Sequence, residues 1–186
     1  ARQFLSGGPR RGGGAREGTL NNCVIHGNSA TGEGGGLDNA TALNCTITDN
    51  AAGSAGGGST LANLRNCIVY YNRAPLYPNA YQGSSYQCCI WPHTLNDFGS
   101  LVIEPMLLSF SHIASNSPCV AAGTLNTGVR FDVDGEPWGN PPSIGCDEQG
   151  SASATGALVV AVRPETTQAV AGATVRLVGE TTGVPG

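Results

Sequence analysis

The chain has 186 residues, 28 of them glycine, and a formal net charge of −4. Glycine is thus at about twice its usual share of roughly 7%. Charged residues make up only 12%, lysine does not occur, and aromatic residues make up only 6%. This composition argues against a helix bundle, a coiled coil and a dinucleotide-binding α/β fold. The lack of any basic block speaks against nucleic acid as a partner. No apolar run approaches the roughly 18 residues of a membrane span.

From Gly12 onward the chain repeats. Gly-Gly-Gly occurs at 12–14, 34–36 and 56–58, a spacing of 22. Cys23, Cys45, Cys67 and Cys89 follow the same interval, as do Asn22, Asn44 and Asn66, and Asn28, Asn50 and Asn72. Each unit has a short β-branched stretch, a polar turn and a triple glycine, with no 3.6-residue apolar period. Leucine-rich repeats share the length but need more leucines per unit than occur here. The pattern predicts an all-β parallel β-helix over residues 1–95, one unit per coil, with coils stacked about 4.8 Å apart.

In such a stack equivalent residues form columns. The expected inward columns are Cys23, Cys45, Cys67 and Cys89; then Ile25, Ile47, Val69 and Trp91; then Leu20, Ala42, Leu64 and Tyr86. Val24, Thr46, Ile68 and Ile90 are expected to face outward. Asn28, Asn50 and Asn72 should occupy a sharp turn, each amide bonding to the next coil and to its own turn. The glycines suit positive φ at a second turn. Arg11 with Glu33, and Arg16 with Asp38, are placed to pair across adjacent coils. The cysteine column is expected to be buried, free and apolar, since a straight column neither suits disulfide torsions nor converges on a metal.

Beyond Asn96 the period fails. Strand-like runs persist at Leu101–Ile103, Met106–Leu108 and His112–Ala114, followed by Ser117-Pro118-Cys119. Later come Asp132-Val133-Asp134-Gly135-Glu136 and Ile144-Gly145-Cys146-Asp147-Glu148. Residues 96–149 are expected to hold terminal coils and an irregular cap that covers the open strand edges of the last coil. Cys119 and Cys146 lie outside the ladder, and a bridge between them is one possibility for them. Asp132, Asp134 and Glu136 offer oxygens for Ca²⁺, although the full EF-hand pattern is missing; an Asx turn is the alternative. Residues 150–156 read as a linker, and 157–186 as the first strands of a β-sandwich module. The sequence at the two termini is expected to belong to a longer chain.

The repeat units, together with Ser-Pro-Cys, Asp-x-Asp-Gly and Ile-Gly-Cys-Asp-Glu, resemble the right-handed parallel β-helix surface proteins of bacteria. The nearest group is the choice-of-anchor type with pectate-lyase-like architecture. Trp138 and Cys146 depart from that group's usual closing motif. The resemblance implies secretion, a large multidomain parent and a surface or adhesin-like role, without a known reaction. The tail resembles an immunoglobulin-like or carboxypeptidase-regulatory module.

No carboxylate cluster of the kind that lyase or hydrolase chemistry uses emerges from the coil phases. Arg65 and Arg73 have no acidic partner at the same phase, and His26, His93 and His112 read as isolated surface histidines. Tyr70, Tyr71, Tyr77 and Tyr81 lie in or just after the third unit and are candidate stacking platforms for sugar rings. The expected function is therefore a non-enzymatic, extracellular or cell-surface structural segment without a cofactor. The alternative is a polysaccharide-binding module, or a piece of a polysaccharide lyase or hydrolase. An extracellular polysaccharide or cell-surface glycan is the expected partner.

Overall fold

A computed structural model describes residues 11–93, 96–124 and 130–149. These belong to a compact unit spanning Ala1–Ala152; a second unit, Ser153–Gly186, and with it the expected sandwich strands, lies outside the described residues.

The repeat folds as a parallel β-solenoid of about three turns with 22-residue spacing. Each turn contributes short strands to up to three faces. The first turn supplies β1 (Ala15–Arg16), β2 (Thr19–Asn21), β3 (Val24–His26) and β4 (Ser29–Ala30). The second supplies β5 (Leu37–Asp38), β6 (Thr41–Leu43), β7 (Thr46–Thr48) and β8 (Ala51–Ala52). The third supplies β9 (Ser59–Arg65) and β10 (Ile68–Tyr70), and the fourth β11 (Ala80–Tyr86) and β12 (Cys89–Ile90). A last strand, β13 (Asn96–Phe98), stacks on β11. One sheet holds β1-β5-β9-β11-β13 with β2 and β6, a second β3-β7-β10-β12, and a third β4-β8. All these strand pairs are parallel, and no described helix is long and apolar enough to cross a membrane.

Register follows the repeat through the third turn: Ile25 lies opposite Ile47, and Ile47 opposite Val69. The next turn is one residue shorter. Ile68 pairs with Cys89 and Val69 with Ile90, so Cys88, not Cys89, continues the inward cysteine column. The expectations for Cys89, Ile90, Trp91 and Tyr86 are corrected accordingly. Ile90 and Ser85 fill the inward places, while Trp91 and Tyr86 are exposed. A one-residue slip exchanges the two faces of a strand. The following turn is shorter still, since Ser85 pairs with Asp97.

The interior contains small and branched apolar side chains, among them Ile25, Leu37, Ala42, Cys45, Ile47, Leu64, Cys67, Val69, Cys88 and Ile90. The triple glycines form for two reasons. The first of each triplet, such as Gly34 at φ +68°, has the expected left-handed backbone. The second sits where one coil pinches against itself and the third where adjacent coils nearly touch: a Cβ on Gly35 would overlap the Ala51 carbonyl of the same turn, and one on Gly36 would lie 2.5 Å from the Gly58 oxygen of the next. Asn22, Asn44 and Asn66 occupy a further left-handed corner, at φ 52°, 48° and 50°. Gln87 takes the same corner in the shortened turn, at φ 49°. Asparagine tolerates this conformation better than most residues.

After β13, Leu101 bridges Cys89 in parallel and so stacks on the free edge of β12, while later residues lie along the flank. Ile113, Cys119 and Ile144 pack onto Ile68 and Cys89, the outward side of the β3-β7-β10-β12 sheet. Gly145 N–H donates to the Asn66 carbonyl at 2.9 Å, and Cys146 N–H to Thr46 Oγ1 at 3.1 Å. Asn22 Nδ2 donates to Phe131 O at 3.1 Å, and Asn66 Nδ2 to Thr124 O at 2.8 Å. The outward column is mostly apolar, and burial of that area is what draws the cover onto the flank. Of the three strand-like runs, only Leu101, Leu107 and Ile113 form isolated bridges, and Asn96–Phe98 is a strand that periodicity missed.

Candidate functional site

Two arrangements on the flank bring polar chemistry together. The first is inside the cover. Asp132 is buried, and its Oδ1 accepts the backbone N–H groups of Asp134, Gly135 and Glu136 at 2.8–2.9 Å. Its Oδ2 accepts Glu148 N–H at 3.0 Å. Both oxygens therefore hold backbone, which is the Asx-turn reading. Glu148 Oε2 accepts Gly139 N–H and Ser143 N–H, and its Oε1 accepts Ser143 Oγ–H at 2.6 Å. Asp147 Oδ2 accepts Ile113 N–H at 2.9 Å. Ser117 Oγ–H donates to Pro105 O at 2.6 Å and accepts Cys119 N–H. The Asp-x-Asp-Gly, Asp-Glu and Ser-Pro-Cys motifs are thus the staples that give an irregular segment one conformation.

The set Asp132, Asp134 and Glu136 does not gather as a calcium loop. Glu136 is exposed, and Asp132 is engaged by four backbone N–H groups. Only Asp134 turns toward another ligand-type side chain. Its Oδ2 lies 2.7 Å from His112 Nε2. Ligand atoms of His112, Asp134 and Asp147 all lie within 4.8 Å of one another. Desolvation by burial pushes the Asp147 carboxyl above its ordinary value, opposed by the Ile113 N–H bond. His112 is held from its other side, where Nδ1 is 2.8 Å from Ser111 Oγ and 3.0 Å from Ser109 Oγ. No spacing rule announces this cluster, because its three members come from separate segments of the cover.

The second arrangement is an open cleft of about 330 Å³ between coils and cover. The coils supply His26, Thr48, Asp49 and Tyr71; the cover supplies Leu107, Leu108, Ser109 and Phe110. His26 stacks on Phe110, with ring centroids 4.7 Å apart. Of the four tyrosines, Tyr71 alone lines the cleft. Tyr70 packs against the cover, and burial raises its phenol above the ordinary value. Tyr77 and Tyr81 stack on each other at 5.4 Å, so each covers a face of its partner. Asp49 is 2.8 Å from Arg73, a pair that same-phase reasoning missed because the two are offset from one repeat.

The asparagine ladder forms as expected and extends by one rung. Asn28 N–H and Nδ2 both donate to Asn50 Oδ1 at 3.0 Å, and Asn50 repeats this with Asn72. Asn72 then donates to Asn79, only seven residues on. Asn79 stands at the place of the third glycine and closes the ladder on the Trp91 carbonyl. Arg11–Glu33 at 3.0 Å and Arg16–Asp38 at 3.3 Å form as the phases required.

All seven cysteines are free, which removes the Cys119–Cys146 bridge. Cys119 instead shares a hydrogen bond with Cys89, which with burial raises the Cys89 thiol. Burial pushes Cys146 up to about 12. In the interior column, burial and then its neighbours Cys45 and Cys88 hold the Cys67 thiol well above its ordinary value.

The fold and these sites define a β-solenoid with a stapled flank cover. No protein-family model, curated protein or solved structure matches this chain.

Proposed function

We propose that the chain is a non-enzymatic structural segment of an extracellular or cell-surface protein, with an adhesin-like role. The observation that carries this reading is how the coils use their polar groups. Asn28, Asn50 and Asn72 are buried in the ladder. Glu17, Glu33, Asp38 and Asp49 lie against arginines, and Asp97 accepts Ser85 Oγ–H. Groups held this way keep a stack rigid and in register. The resemblance of the repeats and of the stapling motifs to choice-of-anchor β-helix proteins supports the surface location.

The test is incubation with uronic-acid polymers and neutral polysaccharides. Absence of chain cleavage is expected, and reproducible product formation would overturn the reading. The cleft favours a second reading, glycan binding at Tyr71. Aromatic faces beside a carboxylate suit a sugar ring. On a glycan array, that reading requires binding that Tyr71→Ala weakens by about tenfold or more, the loss of roughly 1.4 kcal/mol.

A further inference from the structure

We propose that His112, Asp134 and Asp147 bind one first-row divalent transition metal ion, with zinc as the representative, fastening three segments of the flank cover. The ligand atoms already converge within 4.8 Å. Asp147 is 3% exposed, and its carboxylate has no ion pair among the described residues. Its Oδ2 accepts Ile113 N–H and lies 3.5 Å from Gln149 Nε2. A carboxylate in a residue so little exposed is stabilised by a nearby cation. One imidazole and two carboxylates supply the neutralisation a divalent ion needs.

The second layer is also in place. Metal-bound imidazoles almost always bond through their other nitrogen, which fixes ring orientation. Here Nδ1 meets the Ser109 and Ser111 hydroxyls, leaving Nε2 directed at Asp134. A nitrogen ligand disfavours Ca²⁺ and Mg²⁺, which take oxygen, and suits Zn²⁺, Co²⁺, Ni²⁺ and Mn²⁺. Three protein ligands leave a position for water.

The full chain, stripped with a chelator, is titrated with Co²⁺ and then Zn²⁺. The expected result is one equivalent per chain, visible d–d bands of nitrogen and oxygen coordination, and a rise in Tm on adding Zn²⁺. His112→Gln and Asp134→Asn change half-exposed side chains and leave the cover's backbone staples intact. Each is expected to weaken binding by more than about tenfold, the least seen for even outer-shell losses. No binding, undiminished binding in either variant, or an intense thiolate-to-cobalt band signalling capture by cysteine would each overturn the proposal.

Discussion

At the residue scale, the asparagines decide whether the coils stay stacked. Asn50 gives its backbone N–H and Nδ2 to Asn72, and Nδ2 also reaches the carbonyls of Ile25 and Thr48. Its Oδ1 receives both donors of Asn28. Alanine at this position strands buried partners on both sides, and each orphaned group costs about 1–3 kcal/mol. Asn50→Ala should therefore lower stability by about 3 kcal/mol or more. The check is a urea titration with a reduced midpoint and an unchanged slope. A midpoint within error of the parent would show that the ladder is ornamental. This residue and its copies were legible because a ladder must repeat at the coil length. Asn79 was not legible, since it reaches the same column from the opposite corner of the coil, at a glycine's position.

At the scale of elements, the flank cover is the part that periodicity could not place. Its contacts join residues with no fixed spacing, as Thr46 with Cys146 and Ile68 with Ile144. The register slip after Tyr70 was hidden for a related reason. Cys88 and Cys89 stand side by side, so either fits the cysteine column, and the fourth turn has no triple glycine to fix the count. By contrast, the strands β3, β7 and β10 were readable from the 22-residue repeat, and their inward faces are as expected. The cover's adhesion should be separable from the coils' stability. Ile144→Ala empties a fully buried site and should cost about 2–5 kcal/mol. Limited proteolysis is expected to cut within residues 105–149 first, with the coils still protected. Simultaneous loss of both would show that cover and coils open as one unit.

At the scale of the whole molecule, the described residues build stability from small columns and need few rings, which accounts for the low aromatic content read at the outset. The thiols report on that architecture. Cys45, Cys67, Cys88, Cys89, Cys119 and Cys146 are buried, and Cys23 is partly so. With its thiol at about 12, Cys146 at pH 8 is thiolate in only about one molecule in ten thousand. Because six of the seven thiols are buried, a thiol reagent at pH 8 should react slowly with the native protein. Denaturation without reductant should release all seven. A shortfall of two would reinstate a disulfide. The candidate site belongs to this scale as well: its acids were visible in the sequence, but His112 joins Asp134 only because the cover folds back on itself.

The cover touches Asn22, Thr46, Asn66 and Cys89, one or more positions in each successive turn. It therefore works as a gauge laid along the stack. Slippage of one repeat in the gene, ordinarily the easiest way for a solenoid to lengthen, would insert a turn that satisfies every ladder and yet push these four anchor points out of step. Duplications between Asn22 and Cys89 should thus be selected against, even though each new coil is locally sound. A gene of this kind can vary its repeat number only outside the span that the cover measures.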